Sequence, residues 1–151
     1  MAAAWPWFAA NALKRFDIVL TDFYDFEPKE PFDAIVIMGV IEHLPDYEHV
    51  LKKVYRLLKP GGRVFLDGSA AKKKYELSTF MVRHFYPGNH SCLVLDDFLN
   101  KLSKTDFELM EVHNDRWSYS LTFKQWALNL EANKDYVQRA FGDFEFRKFR
   151  L

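Results

Sequence analysis

Apolar residues along this chain fall into short blocks separated by polar, turn-forming stretches. In FDIVLTDF the β-branched block at residues 18–20 predicts a short strand that runs into acidic turn residues. The preceding FAANALKR reads as the end of a helix, and the two prolines of EPKEP mark a loop. FDAIVIMGVIE follows as an unbroken apolar run through Ile35, Val36, Ile37 and Met38. Its lack of alternation predicts a parallel-sheet strand buried on both faces.

After that strand, Pro45 and Asp46 open a helix, with Asp46 as its N-cap. Val50, Leu51, Val54, Leu57 and Leu58 recur at helical spacing, and KPGG ends the element. RVFLDG predicts a further strand, and a polar, irregular stretch follows through YPGNHSC. VLDDFLNKLSK reads as an amphipathic helix, FELMEVHND as a strand, and SLTFKQWALNLEANKDYVQRAF as one long helix. Strand and helix alternate, which predicts an open parallel α/β sheet in one domain. Ligands of such sheets sit at the carboxyl ends of the strands. Asp22, Glu42, Asp67 and Asn114 all fall at those ends.

Composition narrows the picture. The chain has 151 residues, 49% hydrophobic and 28% charged, a globular profile. Aromatic residues make up 17%, a surplus that suits a large core or a pocket for an apolar or ring-bearing ligand. Formal net charge is zero, so no global field points to nucleic acid. Lys72, Lys73 and Lys74 form a local basic run, read as a solvated face or as a contact for anionic lipid headgroups at a membrane surface. The single cysteine, Cys92, excludes an internal disulfide and points to a reducing, cytoplasmic setting. The N-terminal stretch has no basic region ahead of its apolar residues and Pro6 interrupts it, against a signal peptide. The five histidines, His43, His49, His84, His90 and His113, show no H-E-x-x-H spacing, so no metal centre is expected. Cys92 beside His90 reads as a buried inert thiol before an apolar helix rather than as a nucleophile pair.

FDAIVIMGVIEHLPDYEHVLKKVYRLLKPGGRVFLD resembles the middle of a class I S-adenosylmethionine-dependent methyltransferase. DFYDFEPKEPFDAIV, FYPGNHSC and SYSLTFKQWALNLEANKD together resemble the cyclopropane-fatty-acyl-phospholipid synthase and mycolic-acid methyltransferase family, over nearly the whole chain from about Ala10. The resemblance implies a Rossmann-like α/β sheet with helices on both faces. It implies S-adenosylmethionine as cofactor and an unsaturated phospholipid or other acyl chain as substrate, met at a membrane surface. Asp22 and Phe23 would then bind the adenine, and Met38 and Gly39 would line the methionine part. Glu42, His43 and Tyr119 would surround the reacting centre, with Trp117 nearby. Methyl transfer to a double bond leaves a carbocation, which carboxylate and aromatic faces stabilise. In that family a bound bicarbonate is thought to remove the proton.

Two departures stand against the family pattern. The family's synthases carry a histidine where Asp67 stands, and an acidic side chain there should repel bicarbonate. The product type, ring, methyl branch or hydroxyl, is left open. The glycine-rich cofactor loop is absent: the six glycines form no G-x-G. With the implied strand order 3-2-1-4-5-7-6, the chain is expected to be a partial domain spanning residues 1–151, without the first two strands and the last one. Such a chain is expected to bind cofactor weakly and to be inactive alone. Other readings stay open: a small-molecule methyltransferase, a non-catalytic remnant, or a Glu42-His43 pair that merely caps a turn and packs.

Overall fold

The computed structural model describes residues 17–86, 88 and 90–150. The expected helix end at FAANALKR lies outside the described residues. The chain divides into two compact units, residues 1–107 and 108–151.

In the first unit, strand β1 (Phe32–Met38) and strand β2 (Leu58–Asp67) pair in parallel, Ala34 to Met38 against Arg63 to Asp67. The register slips between Phe32 and Ala34, where KPGG is taken up as a bulge and Gly61 adopts φ +76°. Helix α1 (Tyr47–Leu57) connects the two strands. Asp46 caps it, its carboxylate accepting from His49 N at 3.1 Å, and the extended backbone of Leu58 ends it. Val50, Leu51, Val54 and Leu57 are buried as their spacing predicts. Ile37, Ile41, Leu44, Tyr47, Val50, Val54 and Leu93 form the core.

The apolar run of β1 is packed on one side only. Ile35 and Ile37 face the core, whereas Val36 and Met38 stay 62% and 64% exposed. The strand predicted at residues 18–20 and the one predicted in FELMEVHND are both irregular. The described sheet has two strands, and an apolar stretch becomes a strand only where a neighbour takes its backbone hydrogen bonds.

Beyond β2, residues 69–71 run beside 91–93: Leu93 N donates to Ser69 O at 2.7 Å and Ala71 N to Leu93 O at 2.9 Å. A short helix α2 (Thr79–His84), capped by Ser78, lies within the stretch predicted to be irregular. Helix α3 (Leu95–Leu102) packs on α1, with the Tyr47 and Phe98 rings edge to face at 5.5 Å.

The second unit holds helices α4 (Arg116–Ala132), α5 (Lys134–Phe141) and α6 (Asp143–Arg150). The single long helix predicted here breaks at Asn133, whose side-chain amide donates to the Asn129 carbonyl at 2.8 Å. Its own turn thus competes with the helix ladder. Among the unit's described residues Phe146 is the buried one, and Arg150 pairs with Glu131 at 2.6 Å. Among the described residues no helix is long and apolar enough to cross a membrane.

Candidate functional site

The parallel strands and the loops that follow them place most of the predicted residues around the carboxyl end of the β1–β2 pair. Gly39, directly after β1, adopts φ +60°, a conformation that favours glycine, and an added Cβ would meet nothing within 4 Å. The backbone there is therefore open to a ligand. Its N–H donates to Asp67 Oδ1 at 2.7 Å, which ties the ends of the two strands together. Met38 and Val40 flank it, 64% and 41% exposed.

Asp22 opens a tight turn instead of ending a strand. Its Oδ1 accepts from Tyr24 N at 2.8 Å, and its carbonyl accepts from Asp25 N and Phe26 N. Phe23 is half-buried against the core, its ring edge-on to Tyr24 at 5.2 Å. A residue that pattern reading passed over holds this turn in place. Lys53 on α1 is 2% exposed, and its Nζ donates to Tyr24 O at 2.8 Å, Phe26 O at 2.6 Å and Glu27 Oε1 at 2.9 Å. The hydrogen bond from Lys53 holds the Glu27 carboxyl below its usual range. The available signal was a lysine falling between Val50 and Val54 on the apolar stripe of α1, where a cation requires partners.

Glu42 and His43 lie on a 3-10 turn, Ile41–His43, just past β1. Glu42 is 5% exposed; its Oε1 accepts from Ser69 N at 2.6 Å, and its carbonyl accepts from Ser91 N at 2.7 Å. Its Oε2 meets no hydrogen-bonding group among the described residues. Gly68 makes this approach possible, because a Cβ there would sit 2.5 Å from Ile41 Cγ2 and 3.4 Å from Glu42 Oε1. His43 is exposed, with its ring 5.0 Å from that of His90. His90 is buried and stacks on Tyr86 at 4.0 Å. Burial, then the neighbouring His43, lowers the His90 pKa, while Glu42 pulls it upward. Burial raises the Cys92 thiol, and Glu42 adds to that, which fits the inert-thiol reading.

Tyr119 and Trp117 belong to α4 in the second unit. Tyr119 is exposed and packs edge to face on Phe123 at 5.0 Å and on Trp126 at 6.3 Å. Asn114 lies in that unit's irregular lead-in, where its Oδ1 accepts from Arg116 N. Lys74 departs from the solvated-face reading: its Nζ pairs with Asp97 at 2.6 Å and sits 4.0 Å over the Tyr47 ring. Lys72 and Lys73 are exposed. An open groove of about 550 Å³ runs past Lys52, Arg56 and Asp106, and none of the predicted site residues lines it.

The open Gly39 backbone and exposed Met38 suit the amino-acid part of a ligand such as S-adenosylmethionine, and the Asp22–Phe23 turn is held separately by Lys53. A bicarbonate does not fit beside Glu42. It could lend its O–H to Oε2, but its charged oxygens need donors. The N–H groups of Ser69 and Ser91 are already spent on Glu42, and Asp67 adds a second carboxylate. Among the described residues no lysine or arginine bonds to Glu42, His43, Asp67 or His90.

A sequence profile described as mycolic acid cyclopropane synthetase matches residues 8–151. The sphingolipid C9-methyltransferase of Komagataella phaffii is 27% identical over 118 residues, 74% of this chain and 24% of that protein. The pavine N-methyltransferase of Thalictrum flavum is 26% identical over 142 residues, 87% of this chain and 39% of that protein. The chain thus spans between a quarter and two fifths of these relatives. The crystal structure of mycolic acid cyclopropane synthase CmaA1, complexed with SAH and CTAB, superposes with a TM-score of 0.73 at 21% identity. The match covers 87% of this chain and 51% of that one. The α/β fold is therefore that of an incomplete Rossmann-like domain.

Proposed function

The chain belongs to the mycolic acid cyclopropane synthetase family, and from that premise we propose that it carries part of an S-adenosylmethionine-dependent methyltransferase acting on unsaturated lipid acyl chains. The observation that carries this reading is the join between β1 and β2. There an open glycine, a strand-end carboxylate and a buried glutamate whose Oε2 has no partner among the described residues meet at the carboxyl edge of a parallel sheet.

Asp22 and Phe23 take the adenine side, presented by the turn that Lys53 anchors. Met38 and Gly39 take the amino-acid side, where the absent Cβ lets backbone approach the ligand. The cofactor, when bound, supplies an electrophilic methyl group. Glu42 supplies fixed negative charge in a dry setting, where it stabilises developing positive charge on the acceptor. His43 shares the turn that carries Glu42 and belongs to the reacting centre in this reading; the role that the resemblance gives Tyr119 is an aromatic face for a cation. The sphingolipid methyltransferase relative supports a lipid acceptor. The N-methyltransferase relative supports a second reading, in which the acceptor is a small amine.

The test is methyl transfer from isotopically labelled S-adenosylmethionine to vesicles of unsaturated phospholipid. It is run with this chain alone and with the chain combined with a polypeptide bearing a glycine-rich cofactor loop. Label in the acyl chains with the combined protein, abolished by Glu42→Gln, is the expected result. Label in an added amine and none in lipid would replace the lipid reading with the second one.

A further inference from the structure

Glu42 has a neighbour that no motif announced. Glu42 and His90 are 5% and 6% exposed, and each ends in an atom without a partner among the described residues, Glu42 Oε2 and His90 Nδ1. The pairing of residues 69–71 with 91–93 brings His90 to the turn that carries Glu42, and the Ser91 N–H fastens it to the Glu42 carbonyl at 2.7 Å. Tyr86 stacks on the His90 ring at 4.0 Å and His43 lies edge-on at 5.0 Å, so the imidazole is held in one orientation. A buried polar atom left without a partner costs about 1–3 kcal/mol. Two such atoms on segments joined by the Ser91–Glu42 hydrogen bond need a reason. The surroundings keep His90 neutral near pH 7, with a carboxylate beside it.

We infer that Glu42 and His90 form a buried proton-accepting pair, and that this pair, rather than a bound bicarbonate, takes up the proton released during methyl transfer. The origin of that proton rests on the reaction proposed above. There the π electrons of the acyl double bond form the new C–C bond as the S–CH3 bond breaks, leaving a sulfide and a carbocation. An adjacent C–H bond then breaks. Its electron pair closes the ring or forms a new double bond, and its proton goes to His90 Nδ1 through one relaying water. The resulting imidazolium lies beside the Glu42 carboxylate, and the pair becomes neutral overall. His90 is thus the proton acceptor, and Glu42 the residue that holds the resulting imidazolium.

The experiment is imidazole ¹⁵N–¹H correlation spectroscopy of the full chain between about pH 5 and about pH 8, where histidine titrates. The groups facing His90 are Glu42, His43 and Tyr86. The expected result is a neutral His90 with unprotonated Nδ1, titrating below free histidine. Glu42→Gln should lower its midpoint further, since the carboxylate is what raises it, and bicarbonate at tens of millimolar should leave the Ser69 and Ser91 amides unmoved. An unchanged midpoint in Glu42→Gln, a protonated Nδ1 at neutral pH, or a saturable bicarbonate shift at those amides overturns the inference. If Glu42→Gln does not fold, the native chain decides: His90 with its proton on Nε2 and Nδ1 bare supports the pair, and a protonated Nδ1 at neutral pH refutes it. None of these readouts uses the methyl donor, so failure to bind S-adenosylhomocysteine would sink the proposed reaction while leaving the pair standing.

Discussion

Replacing Lys53 with methionine keeps the apolar stem of the side chain and removes the ammonium. The Tyr24 and Phe26 carbonyls then lose their donor, and Glu27 loses its shorter ion pair, keeping Arg56 at 3.1 Å. The two charge-assisted bonds to carbonyls, at about 1.5–3 kcal/mol each, would suggest a large loss. Methionine offsets part of it by removing the penalty of burying an ammonium, and Glu27 is 65% exposed, so its share is screened by water. The remaining loss is that of two carbonyls that must find water or stay unpaired, about 1–3 kcal/mol in total. Urea denaturation should show that loss with an unchanged slope, and amide exchange should accelerate at residues 24–27 ahead of α1. A loss below about 0.5 kcal/mol with unaltered exchange at residues 24–27 would refute the claim that Lys53 holds the Asp22–Phe23 turn.

Gly68→Ala forces a methyl to within 2.5 Å of Ile41 Cγ2, where Ile41 has no exposure and no room to yield. Overpacking of this kind costs about 1–3 kcal/mol. At about 2–4 °C per kcal/mol for a chain of this size, calorimetry should find a clear drop in Tm. Tyr47→Phe removes the hydroxyl that accepts from Val94 N at 3.0 Å, at the start of α3. A loss of about 1–3 kcal/mol in urea is expected, with the α3 amides exchanging first. For pH, the His90 pKa is lower in the folded chain than in the unfolded one, so the unfolded state binds the proton first. Stability attributable to His90 is complete above its unfolded value of about 6.5 and declines as pH falls through the folded value, by at most about 1.4 kcal/mol per pH unit. The difference between the native chain and His90→Gln isolates that slope from His113, which Glu111 raises and which acts in the opposite direction.

The parts legible in the sequence were those with local causes. The spacing of Val50, Leu51, Val54 and Leu57 marked a helix face and Asp46 its cap. Leu58, read as helical, instead begins β2, and KPGG lies within that strand as a bulge instead of ending the helix. The two apolar runs around that helix became the two strands. What pattern reading got wrong depended on neighbours. Residues 18–20 and FELMEVHND have strand-like composition but find no ladder partner among the described residues, and Asn133 ends a helix through a bond that its periodicity does not encode. The site divides in the same way. Glu42 and Asp67 lie at or just past strand ends as the pattern expects, whereas Asp22 and Asn114 follow no strand and Gly39 was implied by the family resemblance alone. Gly68 and His90 could not be placed, since their importance comes from the alignment of residues 69–71 with 91–93, a contact between distant segments.

The central claim is that the carboxyl edge of β1 and β2 is one wall of a methyl-donor site. Its most direct test is amide chemical-shift mapping of the chain with S-adenosylhomocysteine at millimolar concentration, where weak binding still registers. The account predicts saturable shifts centred on Asp22, Phe23, Met38 and Gly39, weakened in Lys53→Met. Shifts confined to other residues, or none in a chain extended to include a glycine-rich loop, would contradict it.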